Sequence, residues 1–473
     1  MTEPSAPAAL TAAFERLRLA WSRDGGLDAK ARKAHLKALQ KAIGTRRERV
    51  CDALVADFGN RSRHETMGAE LWLVMEAIRH ARTHLDEWME PVEKDVGWQM
   101  QPATARVVFQ PLGVVGLIAP WNYPFQLSFA PLVAAIAAGN RVLLKPSEYT
   151  PQTNKVVAEI LSEVFPAEVV SVVDGGAEVG AAFAELPFDH IFFTGSTKVG
   201  RLVAMAAAKN LVPVTLELGG KSPAIVHDSA SLDTAARRIA FGKTYNAGQT
   251  CIAPDYALVP RAKVGAFVEA FTKAVSKMYP TLKDNADYTC IIHAGQVSRL
   301  LHLVDDAEAK GAKVTRVNPA NEALDPQLRK LAPTVLTEVK DDMLVLQDEI
   351  FGPILPVIPY DTLDDAIRYV NERPRPLALY YFDHSGKRQD EVLARTMSGG
   401  VTLNDVLVHN TQEELPFGGV GPAGQGRYHG RYGFEAFSHH RAVFDQARLN
   451  GMDTFNPPYT GLATAAMKFF IGR

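Results

Sequence analysis

Between residues 113 and 216, short apolar runs alternate with helical stretches, and this alternation constrains the fold more than any other feature of the chain. Segments 113–118, 141–145, 169–173, 190–193 and 213–216 read as strands. Helical patterns lie between them at 127–139, from Thr150-Pro151 to Phe165, and at 198–209. Strands this continuously apolar have no solvent face, so they fit a parallel sheet covered by helices on both sides. Gly139-Asn140 supplies a helix stop, and Thr150-Pro151 a cap followed by proline at the first helical position. A second series follows: strands at 224–226, 256–259, 334–336 and 354–358, with helices from Ser231 and over 263–278. The fold class is therefore α/β, with two doubly wound units. Upstream, residues 8 to 90 read as helices, Leu71, Val74, Met75, Ile78 and Leu85 keeping helical spacing. Segments 96–102 and 105–110 read as a protruding hairpin, and 441–445 as an extra strand.

Ligands bind such sheets at the carboxyl ends of the strands, so the residues there carry the chemistry. The central stretch is Tyr245-Asn246-Ala247-Gly248-Gln249-Thr250-Cys251-Ile252-Ala253-Pro254, a loop leaving a helix. Cys251 sits among small and polar residues, where a substrate can reach the sulfur. A thiolate nucleophile needs that access and a nearby positive potential. The competing reading is a buried small residue. Glu217, in Leu216-Glu217-Leu218-Gly219-Gly220-Lys221, is a candidate general base with its pKa raised by an apolar pocket, or a carboxylate paired with Lys221. Asn122, between Pro120 and Pro124, could aim its amide at an oxyanion or hold a rigid turn.

Four further stretches bear on a nucleotide. Phe193-Thr194-Gly195-Ser196-Thr197-Lys198-Val199-Gly200 opens a helix, whose free N–H groups suit a phosphate. Arg201-Leu202 stands where a P-loop needs Lys-Ser/Thr, which disfavours a triphosphatase. Lys145-Pro146-Ser147-Glu148 offers a cation and an acid to a ribose, or is a solvated strand end. Asp348-Glu349-Ile350-Phe351 offers two acids before a turn. Gly419-Val420-Gly421-Pro422-Ala423-Gly424 matches G-x-G-x-x-G, but Pro422 sits inside it and no strand leads in, so it reads as a tight loop.

A formal net charge of −2 leaves no electrostatic footprint for nucleic acid. Cys51, Cys251 and Cys290 are far apart, without C-x-x-C; no disulfide framework and no metal site are expected, and a reducing, cytoplasmic setting is. Residues 1–10 lack the pattern of a signal peptide. The apolar stretches are too short or broken for stable membrane insertion. The tail, 459–473, reads as a surface-docked helix, with weak membrane contact as the alternative.

Taken in order, Pro120-Trp121-Asn122, Lys145-Pro146-Ser147-Glu148, Phe193-Thr194-Gly195-Ser196, Glu217-Leu218-Gly219-Gly220-Lys221, Asn246 to Cys251, Glu349-Ile350-Phe351-Gly352-Pro353 and Pro416-Phe417-Gly418-Gly419 resemble the aldehyde dehydrogenase superfamily, over roughly residues 10 to 445. Phe437-Ser438-His439-His440-Arg441 resembles its class 3 branch. Pro111-Leu112-Gly113-Val114-Val115-Gly116, Phe58-Gly59-Asn60-Arg61-Ser62 and Asp287-Tyr288-Thr289 resemble bacterial coniferyl aldehyde dehydrogenases. The resemblance implies a Rossmann-like NAD(P)-binding domain (1–91 and 111–212), a catalytic domain (213–415), and a bridging element with a C-terminal tail (92–110 and 416–473). It makes Cys251 the nucleophile, Asn122 and the Cys251 N–H the oxyanion donors, and Glu217 the base that activates water against a thioester. Glu349, Phe351, Lys145 and Glu148 would hold the cofactor, with Trp121, Ser147, Gly195, Ser196, Gly200, Leu218 and Gly219 lining the same site. Tyr123, Tyr245, His409 and Phe417 would shape a pocket for an aryl aldehyde, although His409 could equally be structural. NAD is expected over a tolerated NADP, because Glu148 repels a 2′-phosphate while Lys145 offsets it. A homodimer is implied. The expected reaction is oxidation of coniferaldehyde or a similar aryl aldehyde. The alternatives are a fatty aldehyde dehydrogenase, a cofactor-independent thiol acyltransferase or esterase, and a non-catalytic protein.

Overall fold

The computed structural model describes residues 6–472; the first five residues of the stretch read for a leader, and Arg473 at the end of the tail, lie outside the described residues. Four helical segments open the chain, at Ala6–Asp24, Ala29–Thr45, Arg47–Phe58 and Leu73–Met89, the last entered through a wider helical turn at Thr66–Trp72. The apolar faces of the last three pack with the helix Gln126–Ala138 against the first sheet, whereas Ala6–Asp24 packs in a separate cluster with the helices Ala177–Ala184 and Thr197–Ala208.

The strands in chain order are β1 (Val92–Lys94), β2 (Thr104–Pro111), β3 (Val114–Ile118), β4 (Arg141–Lys145), β5 (Val170–Val172), β6 (His190–Thr194), β7 (Val214–Glu217) and β8 (Pro223–Val226). Then come β9 (Tyr256–Pro260), β10 (Lys313–Arg316), β11 (Thr334–Thr337), β12 (Ile354–Tyr360), β13 (Ala378–Phe382), β14 (Gly400–Leu403), β15 (Gly424–Gln425) and β16 (Ser438–Asp445). Three sheets result, ordered β15-β7-β6-β3-β4-β5, β10-β11-β12-β9-β8-β13-β14 and β1-β2-β16. The first two are parallel except at β15 and β10, and the third is antiparallel. The interior strands are buried on both faces, as their unbroken apolar sequences require.

Several local expectations change. The first hairpin strand is β1, not 96–102: its register is Val92↔Val107, and 95–103 is loop with a short 3-10 turn at Trp98–Met100. Gly97 and Pro102 explain this, since glycine weakens a strand and proline cannot donate to a ladder. The helix Pro151–Val164 starts where expected, but the Thr150 side chain does not cap it. The Asp57 carboxylate does, accepting from the N–H groups of Gln152 (2.9 Å) and Thr153 (2.8 Å). The strand boundaries also cross the expected division of the chain. β7, from 213–415, pairs with β6 in the first sheet, and β15, from 416–473, adds to β7. The Gly419–Gly424 stretch is the tight loop that the sequence suggests, with Gly421 at φ 63° and Gly424 at φ 150°.

In the first sheet β3, β4 and β5 wind one way, while β6 and β7 lie on the other side of β3. The order therefore reverses between β3 and β6, where an open α/β sheet leaves a crevice beyond its carboxyl ends. Trp121-Asn122 follows β3, and Gly195-Ser196 follows β6. From Glu217, the last residue of β7, five residues lead to β8, and the Cys251 loop ends just before β9. The chain thus brings the carboxyl end of one sheet against the amino end of the other.

Candidate active site

The helix Leu232–Thr244 starts at Ser231, whose Oγ accepts from the Thr234 N–H, and delivers the chain to the cysteine loop. Asn246 and Ala247 take left-handed conformations (φ 51° and 52°), and Gly248 follows at φ 75°. Gly248 is required there, because a Cβ would overlap the carbonyl of Gly352. Two non-glycine residues in this region cost of order 1–3 kcal/mol each, so the surroundings must hold them. They do so through buried amides. Asn246 Nδ2 donates to the carbonyls of Asn122 (3.0 Å) and Gln249 (3.1 Å). Gln249 Nε2 donates to Asn246 and Cys290 carbonyls, while its Oε1 accepts from the Ile292 N–H.

Cys251 ends up half-buried at the floor of a cavity of about 220 Å³. Its thiol is pushed up to about 12, first by burial and then by the Glu349 and Glu217 carboxylates; the N–H groups of Cys251 and Ile252 pull the other way. The positive potential expected beside the sulfur is not supplied by a protein cation: the charges acting most strongly on it are negative. Asn122 Nδ2 donates to the Gln249 carbonyl at 3.1 Å, which puts the amide beside the cysteine loop.

Glu217 is buried, and neither carboxylate oxygen has a hydrogen-bond partner among the described residues. Burial alone holds its pKa well above the ordinary carboxylate range. The alternative pairing with Lys221 does not form: that ammonium binds Asp255 and the carbonyls of Val345 and Asp348.

On the other side lie the residues expected to hold a cofactor. Lys145, at the end of β4, is only 4% exposed, with Nζ 3.4 Å from Glu148. It is not a solvated strand end. Ser147 is buried, and its Oγ accepts from the Tyr149 N–H. Ser196 caps the helix Thr197–Ala208, leaving its first turn aimed past Gly195. Leu218 is buried against Gly200, where a Cβ would meet Leu218 Cδ2 at 2.6 Å. A Cβ at Gly219 would overlap the Glu349 carboxylate, so that glycine makes a cradle for the acid. Glu349 is half-buried and pushed up to about 8, mainly by burial and then by Asp255, so it is no freely solvated turn acid. Phe351, at φ 52°, sets its ring edge-to-face on Trp121 at 5.3 Å. An acid in a glycine cradle, a lysine–glutamate pair and a helix N-terminus around one switch point fit a dinucleotide.

The cavity wall is aromatic and aliphatic. Tyr123, Tyr245 and Phe417 line it, as expected; so do Trp72, Phe241, Tyr428, Leu127 and Val406 to Val408, which sequence reasoning missed. The Tyr123 hydroxyl is spent on Thr250 Oγ1 (2.6 Å), so the tyrosine presents its ring. His409 does not line the cavity. It packs behind Phe417 with ring centroids 6.0 Å apart, its Nδ1 2.8 Å from Thr402 Oγ1, and burial lowers it to about 4.

Arg61 and Glu70 were also missed. They form a fully buried ion pair at 3.1 Å. Arg61 donates to the Asn122 carbonyl at 2.7 Å, and Glu70 accepts from the N–H groups of Phe125 (3.0 Å) and Gln126 (2.8 Å). The pair therefore grips both ends of the turn bearing Asn122 and Tyr123.

The model of the aldehyde dehydrogenase family matches residues 1–443. The chain belongs to this family. A protein named "Probable coniferyl aldehyde dehydrogenase" from Pseudomonas aeruginosa is 51% identical, over 95% of this chain and 94% of that one. Among solved structures, the substrate-bound state of Staphylococcus aureus AldH superposes with a TM-score of 0.92 at 38% identity, covering 98% of this chain and 99% of that one. The Mycobacterium tuberculosis aldehyde dehydrogenase complexed with NAD+ gives 0.84 at 29% identity, covering 95% and 92%. As a member of the family, the chain is an aldehyde dehydrogenase of two parallel α/β sheets and a small antiparallel one. No helix among the described residues is long and apolar enough to cross a membrane.

Proposed function

We propose that this aldehyde dehydrogenase oxidises an aryl aldehyde of the coniferaldehyde type to its carboxylic acid, with NAD preferred and NADP tolerated. The observation carrying the mechanism is the convergence of a thiol, an amide donor and an unpartnered acid beneath an aromatic cavity. Cys251 Sγ attacks the aldehyde carbon and forms a thiohemiacetal. Its thiol is protonated at rest, so attack requires loss of that proton to solvent. The oxyanion is held by Asn122 Nδ2 and the Cys251 N–H, donors fixed before the reaction starts. The nicotinamide, when bound, supplies the hydride acceptor. What remains on Cys251 is a thioester. Glu217, ionised for this step, draws a proton from water; the hydroxide attacks the acyl carbon, the carbon–sulfur bond breaks with its electron pair returning to Cys251 Sγ, the acid leaves, and Glu217 passes the proton to solvent.

Trp121, Lys145, Ser147, Glu148, Gly195, Ser196, Gly200, Leu218, Gly219, Glu349 and Phe351 are assigned to the cofactor. The carboxylate of Glu148 beside the buried Lys145 supports NAD over NADP. Residues 1–91 and 111–212 are assigned to cofactor binding, and 213–415 to the reaction, with β7 completing the first sheet. The β1-β2-β16 sheet, with Phe444 52% exposed, is assigned to pairing two copies as a homodimer in the cytoplasm. Tyr123, Tyr245 and Phe417, with their added aromatic neighbours, favour a flat ring over a flexible chain.

The test is reduced-nicotinamide absorbance with coniferaldehyde and with a saturated aldehyde of equal carbon number. The proposal requires a higher kcat/KM for coniferaldehyde, and higher with NAD than NADP. Preference for the saturated chain would make this a fatty aldehyde dehydrogenase.

A further inference from the structure

Away from the cysteine, two histidines and a glutamate converge on the helix Leu73–Met89. His80 and His84 stand one turn apart on it, with ring centroids 4.3 Å apart. His84 Nδ1 lies 3.0 Å from the His80 carbonyl. A carbonyl only accepts, so Nδ1 carries the proton and the lone pair of His84 sits on Nε2. This is the arrangement in which a backbone carbonyl orients a metal-binding imidazole. Glu414, from the loop before Phe417, brings Oε1 to 3.3 Å from His80 Nε2. One ligand atom from each of the three residues lies within 4.8 Å of the others. Zinc-class bonds run about 2.0–2.2 Å, and the Glu414 side chain is exposed. Both imidazoles are braced by Trp88, at 5.5 and 6.0 Å.

The surroundings favour a cation. The carboxylates of Glu76, Glu87 and Glu414 all act on His80. The loop is anchored as well: Glu413 accepts from the Gly430 N–H at 3.0 Å, and Gly430 abuts His80.

We propose that His80, His84 and Glu414 form a surface site for a borderline divalent transition metal of the zinc class, completed by water. Two imidazoles and one carboxylate suit zinc or cobalt and are poor for magnesium or calcium. Such an ion would tie the loop leading to Phe417, a wall of the substrate cavity, to the helix that begins one residue past Trp72. The sequence held no sign of this, because Glu414 lies 330 residues from His84 and only folding joins them.

The test uses untagged full-length protein and Co2+, whose visible absorption separates nitrogen–oxygen ligation from thiolate ligation. One Co2+ per chain, without a thiolate charge-transfer band, displaced by Zn2+ but not Mg2+, is expected. His84→Ala and Glu414→Gln should each weaken binding about 10–100-fold or more, since even a lost outer partner costs that much. Both should keep the metal-free rate of aldehyde oxidation, which shows that they fold. Cys251→Ala should bind Co2+ like the parent. Absence of Co2+ binding, binding unchanged in His84→Ala, or binding lost in Cys251→Ala would each overturn the site.

Discussion

Two buried carboxylates in this protein sit in opposite circumstances. Glu70 faces Arg61 at 3.1 Å and accepts two backbone N–H groups. Among the described residues, Glu217 has no hydrogen-bond partner on either oxygen. Burial raises both, but Arg61 and the two N–H groups pull Glu70 back, whereas nothing pulls Glu217 back. A buried charge with partners holds a turn in place; a buried acid without them stays protonated until a reaction gives it something to do. The fold thus separates an acid that holds the Asn122 turn from the acid proposed to handle protons.

Cys251→Ala sets the ceiling for loss of activity: reduced-nicotinamide formation should fall by about 10⁴-fold or more, as it does when a nucleophile is removed from other enzymes. Denaturant unfolding should change by no more than about 1 kcal/mol. Glu217→Gln comes next. Steady-state kcat should drop about 10²–10⁴-fold, while stability holds or rises, because an unpartnered ionisable group is gone. If this variant unfolds as readily as an Arg61 variant, the two acids are not different in kind. Arg61→Met should cost about 3–5 kcal/mol in urea unfolding, since Glu70 would be buried without its cation. It should lower kcat as well, through the loosened Asn122 turn. Replacing both partners together should restore much of the stability.

The pH dependence sharpens the same contrast. An acid whose native pKa is raised keeps its proton when the unfolded chain loses it. Stability therefore falls as pH rises from the unfolded carboxyl value, about 4.3, toward the native one, which for Glu349 is about 8. Urea midpoints measured across that window should decline, and Glu217→Gln should decline less steeply. Turnover should rise with pH as Glu217 gives up its proton, at a pH well above the ordinary carboxylate range. The smallest effect belongs to Tyr123→Phe, which loses only the hydrogen bond to Thr250. About 0.5–1.5 kcal/mol of stability is expected to go, with kcat/KM for an aryl aldehyde changing less than tenfold.

The sheets were legible because their strands are buried on both faces and so are apolar throughout, as β4 and β9 show. Less legible was the hairpin, where Gly97 and Pro102 shift the first strand to β1. The short helix Ala177–Ala184 and the strands β13 and β14 went unread as well. In the site, Cys251, Asn122 and Glu217 stood out because each lies at a strand end or loop beside small residues. For His409 the sequence left two readings open, because one-dimensional spacing cannot tell the front of a wall from its back; its ring packs against Phe417. Arg61 and Glu70 gave no local signal: their meaning lies in contacts with a turn more than 50 residues away. Nor does the sequence show that the charges acting most strongly on Cys251 are negative, since Glu349 and Glu217 reach it only through the fold.

The most direct measurement is the first turnover of Glu217→Gln, followed by stopped-flow absorbance and intact-mass analysis with coniferaldehyde and NAD. The account predicts a burst of reduced nicotinamide approaching one per chain, then near-arrest, with the acyl group retained on Cys251. A Glu217→Gln protein that turns over at the parent rate, or that stalls with no acyl group on Cys251, would contradict it.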